Sequence, residues 1–450
     1  MTRLQVWMDR DLVGHLSHDL ASNRFSFEYT AQWKADARRF PLSPRLPLVR
    51  DPAQTDEWHS TEVRQFFENL LPEGQALDDA AQANGLSKAN LIGLVIALGR
   101  ETSGALRILV ESPGDPAIQI DADEGETLRP LSREELSQRI RQRSEIPFSV
   151  WDGKVRLSIA GYQDKLAVYE RDARWFLVDG PDLASTWILK PAPTRPQLAH
   201  LPANEYFCMQ LAWRAGLPVA ATRLVHVPEP VLLVQRFDRA DPGERVQRLH
   251  VIDGCQALGL GVGMKYERPY GDRPEVRNIR GGASFSKLFA LTGMSPTPAV
   301  ERLALLRWVL FQVLIGNTDA HGKNLSFFCA VDGLRLAPAY DLVCMPALGD
   351  DALGETYAMA IGDAFSESEI TPFEWASFAK ACGLPRRLVS QQLGRLTARL
   401  LDALPQVGDD ARKVGVPDPV IQAVAAAVEP VCRRHLAMAP AIARARDADL

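Results

Sequence analysis

Lysine is scarce in this sequence. Of its 51 basic residues only ten are lysines, which leaves 41 arginines, so the place of each lysine carries information. Surplus positive charge is missing as well. Against 56 acidic residues the net charge is −5, which excludes a chain that grips nucleic acid simply by being basic overall. Paired cysteines are absent: Cys208, Cys255, Cys329, Cys344, Cys382 and Cys432 never stand as Cys-x-x-Cys, and none is bracketed by histidines at zinc-finger spacing. That argues for scattered reduced thiols in a cytosolic protein rather than a zinc or disulfide framework. No long apolar run occurs. Residues 1–9 lack the apolar core of a secretory signal. The most apolar stretch, 303–315, carries Arg307 and Gln312 and is too short to span a bilayer. A cytoplasmic protein with no membrane partner is the expectation.

What is present predicts a mixed α/β (α+β) chain of several domains. Its 450 residues suggest two or three domains, and 46% apolar with 24% charged residues suits a large core. Residues 1–112 read as one α/β unit. Leu4, Val6 and Met8 alternate as in a strand, and Phe25, Phe27 and Tyr29 repeat the pattern. Helical stretches follow over 60–71, 75–84 and 87–98, the last with Ser87 as N-cap. Residues 113–130 are rich in Asp, Glu, Pro and Gly, and with a short helix over 132–143 they predict a linking segment, 113–150.

Residues 151–237 are strand-rich. Val155, Leu157 and Ile159 alternate, a polar turn interrupts, and Leu166 and Val168 resume. Further short strands are expected at 175–178, 187–190 and 231–234, with a helix over 204–215 closed by Gly216. From 238 to 450 helices dominate. Seven glycines within 253–283 predict a long loop. Helices are expected over 285–291 and 299–315, the second buried on most faces. A β-hairpin is expected from 325–328 and 334–336 around Asp332-Gly333.

The sharpest constellation is Gly316-Asn317-Thr318-Asp319-Ala320-His321-Gly322-Lys323-Asn324, followed beyond the hairpin by Ala339-Tyr340-Asp341. Two carboxylates and an amide oxygen thus gather in polar loops after a buried helix. Phosphoryl transfer from ATP needs such a set. One carboxylate orients or accepts the proton of the attacking hydroxyl. A second, with an amide oxygen, holds Mg2+, a hard cation that takes oxygen ligands. Asp-x4-Asn followed by an Asp after a hairpin is the layout of a kinase catalytic loop and its metal-binding aspartate. The blander reading is a polar loop whose Asp and Asn cap backbone groups.

Upstream, Lys190 ends an apolar strand and could reach phosphates, or simply snorkel from an edge strand. Glu205 opens the next helix and is a candidate ion-pair partner for it. Ala160-Gly161-Tyr162-Gln163-Asp164-Lys165 lies between two strands and could cover phosphates through backbone N–H groups, although it holds one glycine. Gln235-Arg236-Phe237 fits a hinge whose backbone bonds adenine, or a plain connecting strand. His321 either touches phosphate or braces its loop.

Together these pieces resemble the HipA family of serine/threonine kinase toxins, the toxin halves of HipBA toxin–antitoxin modules. The matching segments are Ser158-Ile159-Ala160-Gly161-Tyr162-Gln163-Asp164-Lys165, Ile188-Leu189-Lys190-Pro191, Asn204-Glu205-Tyr206, Val234-Gln235-Arg236-Phe237-Asp238-Arg239, the run from Gly316 to Asn324, and Tyr340-Asp341. Phe66-Phe67-Glu68-Asn69-Leu70-Leu71-Pro72 and Gly99-Arg100-Glu101 match in the N-terminal unit.

The resemblance implies a two-lobed protein-kinase-like fold: an N-terminal subdomain (1–112), a strand-rich N-lobe (151–237) and a helical C-lobe (238–450). It implies Asp319 as the catalytic aspartate, and Asn324 and Asp341 as Mg2+ ligands. Lys190 and the loop Ala160 to Lys165 would hold the phosphates of ATP, and Gln235, Arg236 and Phe237 the adenine. His321, Gly322, Lys323, Asn324 and Tyr340 would line the nucleotide. Lys165, Lys190 and Lys323 thus fall in nucleotide-binding segments of an arginine-rich chain, where a compact ammonium suits phosphate.

Ser158 matches the family's autophosphorylated serine. A phosphate there adds close to two negative charges beside a phosphate-binding loop and, in the family, ejects that loop. The resemblance further implies a HipB-like helix-turn-helix antitoxin as partner. The target would be a protein of translation, an aminoacyl-tRNA synthetase, with growth arrest and persistence following. The family's basic operator-contacting positions are partly kept, with Lys380 aligned and Gly383 at a second, so operator DNA is expected to be met mainly through the antitoxin. Two other classes stay open on the residues alone: a non-catalytic co-repressor, against which the four retained groups Asp319, Asn324, Asp341 and Lys190 speak, and a small-molecule kinase on the same scaffold.

Overall fold

A computed structural model describes residues 1–111, 127–156, 163–180, 182–240, 245–349 and 356–446. The N-terminal unit is built on a four-stranded antiparallel sheet in the order Arg24–Tyr29, Asp11–Asp19, Thr2–Met8, Leu106–Val110. Its alternating residues Leu4, Val6, Phe25 and Phe27 point inward, into a core shared with helices Asp56–Glu68, Gly74–Ala83 and Leu91–Leu98. The third helix starts later than its sequence predicts. Asn90, not Ser87, is the N-cap, its side chain accepting the Gly93 N–H, while Ser87 accepts the Ala89 N–H one turn earlier. Both residues are good caps; the apolar run Leu91-Ile92-Gly93-Leu94-Val95 decides which one borders the buried helix.

The second unit is a six-stranded antiparallel sheet in the order Thr222–His226, Pro230–Gln235, Trp187–Pro191, Leu166–Arg171, Arg174–Asp179, Thr127–Leu131. The last of these strands lies where composition suggests linker. Its pairing runs from Thr127 opposite Asp179 to Leu131 opposite Trp175, so the sheet's edge overrides a polar sequence. Ser132 then caps helix Arg133–Arg141 by accepting the Glu135 N–H. The sheet has its own core, which includes Leu136, Phe148, Trp151, Leu189 and Leu233.

The third unit is mainly helical: Leu201–Arg214, Phe285–Leu291, Pro298–Leu314, Pro372–Ala381, and the long pair Arg386–Lys413 and Asp418–Arg444. A small antiparallel sheet, Val251–Asp253, Ser326–Ala330 and Gly333–Leu336, accompanies these helices. In the hairpin Ala330 pairs with Gly333, so the turn residues are Val331 and Asp332 and the glycine opens the return strand. One hydrophobic core runs without a break from Leu4 in the N-terminal sheet to Ile442 in the last helix. The N-terminal unit is therefore packed into the helical lobe, not tethered to it. No helix among the described residues is long and apolar enough to cross a membrane.

Candidate active site

A cavity of about 1200 Å³ lies between the six-stranded sheet and the helical lobe. Lys190, Phe237, Asp319, Asn324 and Asp341 line it, and so does Glu73 from the N-terminal unit. Lys190 is placed by its strand. Trp187–Pro191 pairs on both sides, with Lys190 opposite Leu232, and the alternation that buries Leu189 in the sheet's core turns Lys190 toward the cavity.

Its Nζ lies 2.6 Å from Glu205 Oε1, on helix Leu201–Arg214, and 2.5 Å from Asp341 Oδ1. Burial alone would discharge Lys190; Asp341 and Glu205 outweigh it and raise its pKa. Burial would likewise raise Asp341, but Lys190 and Lys165 hold its carboxyl well below the usual range. Glu205 is pushed upward, because its burial exceeds what Lys190 returns. Asp341 has a left-handed backbone, φ +57°, a conformation that Asp tolerates better than most residues.

The catalytic-loop candidate begins where the buried helix Pro298–Leu314 ends, at Gly316 with φ +66°. Asn317 Nδ2 donates to Gln312 Oε1 at 2.8 Å and to Asp341 O at 3.3 Å, and Asn317 Oδ1 accepts the Asp319 N–H at 3.2 Å. One amide thus ties the helix, Asp319 and Asp341 together. Asn324 Nδ2 donates to Asp319 O at 2.8 Å, which puts its amide oxygen on the opposite side. Asp319 itself receives a 2.6 Å hydrogen bond from the Tyr266 hydroxyl at Oδ1. Burial raises the Asp319 pKa, and Tyr266 and Lys265 take back part of that rise. His321 Nδ1 accepts the Lys323 N–H at 3.2 Å, so it braces the loop. Burial and Lys265 press its pKa well down, leaving a neutral ring.

Two expected nucleotide contacts have their side chains engaged elsewhere. Lys323 Nζ meets Asp253 Oδ2 at 2.7 Å, Asn69 Oδ1 at 2.8 Å and Asn69 O at 3.0 Å. The Arg236 guanidinium is buried against Asp238 (2.7 Å), Ser185 Oγ (2.9 Å) and Thr102 O (3.0 Å). A buried cation needs such partners, and in both cases the N-terminal unit supplies some of them. Gln235 and Arg236 also donate their N–H groups to Ala221 O and Thr186 O. Phe237 is placed as a wall, its ring 5.6 Å from that of Tyr340. The Tyr340 hydroxyl donates to Lys323 O and meets Ser326 Oγ, both at 2.8 Å.

In the phosphate-loop candidate, Gln163 Nε2 donates to Pro191 O at 3.0 Å and Asp164 faces Arg143 at 3.8 Å. Lys165 is buried, which depresses its pKa. Ser158, Ala160, Gly161 and Tyr162 lie outside the described residues. Among the described residues no group of three or more His, Cys, Asp or Glu side chains could hold a metal ion. Glu73, Asp253 and Tyr266 are not singled out by the sequence, and Asn69 enters there only as one residue of a matching segment. They reach the site from up to 254 residues away, and no spacing rule connects them to it.

Fold and site together define a two-lobed, protein-kinase-like protein with an added N-terminal unit. Residues 4–109 match the HipA N-terminal domain and residues 157–404 the HipA-like C-terminal domain. The serine/threonine-protein kinase toxin HipA of Shewanella oneidensis is 39% identical over 407 residues, covering 90% of this chain and 89% of that one. A putative kinase of Sinorhizobium fredii, Y4mE, is 33% identical over 90% of this chain and 92% of its own. The solved complex of Shewanella oneidensis HipA, HipB and operator DNA contains a chain that superposes with a TM-score of 0.84 at 34% identity, covering 98% of this chain and 100% of that one. The chain belongs to the HipA family.

Proposed function

We propose that this chain is an ATP-dependent serine/threonine protein kinase that acts as the toxin of a toxin–antitoxin pair. The observation that carries the reading is the buried Lys190–Glu205 ion pair, which reaches Asp341 in the cavity where Asp319 and Asn324 converge. A kinase needs that lysine–glutamate pair and that aspartate together. Lys190 and Lys165 bind the ATP phosphates. The hinge offers adenine its backbone, with Phe237 contributing the next N–H after those of Gln235 and Arg236, and Phe237 and Tyr340 wall the nucleotide. Asp319 orients the acceptor hydroxyl and takes its proton.

Asn324 and Asp341 fit Mg2+, which is commonly held by one or two protein oxygens together with substrate phosphates rather than by an all-protein cage. When bound, the ion neutralises phosphate charge. Ser158 is the autophosphorylation site. A HipB-like antitoxin restrains the chain and carries it to operator DNA, and an aminoacyl-tRNA synthetase is the target.

The test is incubation with γ-labelled ATP and Mg2+. Label on Ser158 that Asp319→Ala abolishes is expected, with growth arrest on expression abolished by the same change. An unlabelled wild-type protein that still represses its operator with the antitoxin would replace this reading with a non-catalytic co-repressor. Phosphoproteomics after brief induction tests the target, and no gain of phosphate on any synthetase would exclude it.

A further inference from the structure

Lys323, four residues after Asp319, is turned away from it toward Asn69 of the N-terminal unit and Asp253. The side chain that does meet the Asp319 carboxylate is Tyr266, whose hydroxyl donates to Oδ1 at 2.6 Å. Tyr266 lies 53 residues earlier, in the glycine-rich stretch. Its position is fixed on both sides. The carbonyl of Lys265 accepts the Gly322 N–H at 2.9 Å, which joins the stretch to the Asp319 loop by backbone. The Lys265 ammonium meets Glu73 of the N-terminal unit at 2.6 Å.

On the other side Glu267 donates its N–H to Ala358 O at 2.9 Å and accepts the Ala360 N–H at 2.8 Å, while Arg280 holds its carboxylate at 2.6 Å. Gly282 closes in so tightly that a Cβ there would lie 1.8 Å from Tyr266 O. The ring is half-buried and stands edge-on to His321 at 5.1 Å and 89°. Such anchoring argues against a gate that swings away and for a fixed support.

We propose that Tyr266 is the positioning residue of the phosphoryl transfer: its hydroxyl pins Asp319 Oδ1, and Oδ2 is thereby the oxygen that receives the acceptor proton. This rests on the kinase reading above. In the step, the acceptor oxygen forms its bond to the γ-phosphorus, the bond from that phosphorus to the ADP oxygen breaks, and the acceptor proton passes to Oδ2. A carboxylate with one oxygen pinned cannot rotate away from the acceptor, and orientation of this kind is where positioning residues contribute to rate.

The experiment compares full-length wild type, Tyr266→Phe, and a chain with 3-fluorotyrosine at 266, measuring label transfer from ATP and binding of a fluorescent ATP analogue. The phenylalanine keeps the ring against His321 and loses only the donor. It is expected to lower kcat about tenfold with KM for ATP and analogue affinity unchanged. The fluorotyrosine keeps the donor and makes it more acidic, so it is expected to shift the acid limb of the kcat–pH profile to lower pH while leaving KM for ATP unchanged. A phenylalanine variant as fast as wild type, or one that loses nucleotide affinity in step with rate, overturns the proposal. If Tyr266→Phe does not fold, the fluorotyrosine chain decides alone: a kcat–pH profile that coincides with that of wild type overturns the proposal. A wild type that transfers no label but binds nucleotide would sink the kinase reading itself, a distinguishable result.

Discussion

Lys190 stands between two carboxylates, and its removal uncovers both. Its side chain is 5% exposed and that of Glu205 only 1%, so the pair sits where solvent does not screen it. Lys190→Met leaves Glu205 and Asp341 facing each other without the cation between them, and with Lys165 as the remaining ammonium acting on both. Breaking a buried pair from one side costs about 3–5 kcal/mol. We expect a loss of about 3 kcal/mol in urea unfolding of the nucleotide-free protein, because Asp341 keeps partial access to water and Lys165. Glu205→Gln, whose amide oxygen still accepts from Lys190, is expected to lose about 1 kcal/mol. Equal losses for the two variants would show that the pair carries no special weight. The residues of this cluster were legible because each lies in a short segment whose chemistry is local: a lysine near the end of a strand, a glutamate near the start of a helix, an Asp after a hairpin; the helix itself starts at Leu201, a turn before the expected 204. What was not legible is where a long side chain goes. Lys323 and Arg236 occupy the expected segments but point at the N-terminal unit, and nothing in their own neighbourhood encodes a partner more than 130 residues away.

At the scale of elements, boundaries moved wherever tertiary pairing outvoted composition. Thr127–Leu131 is polar enough to read as loop and is nevertheless an edge strand. The stretch from 253, read as one long loop, begins with a short helix, Gly254–Leu258, whose capping box joins Asp253 and Gln256. Just before it, His250 leads into strand Val251–Asp253 and donates Nε2–H to Leu42 O at 2.9 Å. That bond stitches the small sheet to the N-terminal unit. Burial pushes the His250 pKa down to about 4, from which the Leu42 carbonyl recovers only a part.

The native state therefore holds this ring neutral while the unfolded chain protonates it below about pH 6.5. Between those values the unfolded state binds more protons, so stability falls as pH falls, by about 3 kcal/mol in all for a buried group shifted this far. His250→Gln keeps a donor for Leu42 and does not titrate. Unfolding free energies measured at pH 7 and pH 4 should differ less in that variant than in wild type, by about that amount. Parallel pH profiles in the two proteins would refute the assignment.

For the whole molecule the shared core raises the question of whether the N-terminal unit is a domain or a wall. Sequence composition marks it off at about residue 112, and its sheet is complete in itself. Its contacts argue the other way. Beyond the continuous core, Gly104 donates its N–H to Asp238 at 2.7 Å, Thr102 O accepts from both Arg236 and Arg239, and Gln256 donates to Phe66 O at 3.0 Å. Asn69 accepts hydrogen bonds from the Lys323 ammonium, and Glu73 pairs with the Lys265 ammonium beside Asp319. Without residues 1–111 the hinge arginines lose buried acceptors, Lys323 keeps only Asp253, and a large apolar face of the helical lobe meets water. Unsatisfied buried polar groups cost about 1–3 kcal/mol each, and several of them together with exposed core rival the whole stability of a domain. A chain beginning at residue 127 is therefore expected to aggregate or to bind a hydrophobic dye, whereas the full chain should melt with the N-terminal unit and helical lobe in one transition. A truncated protein that stays monomeric, keeps a sharp melt and binds an ATP analogue as the full chain does would show that the N-terminal unit is dispensable, and that the ammonium of Lys323 can find its place without Asn69.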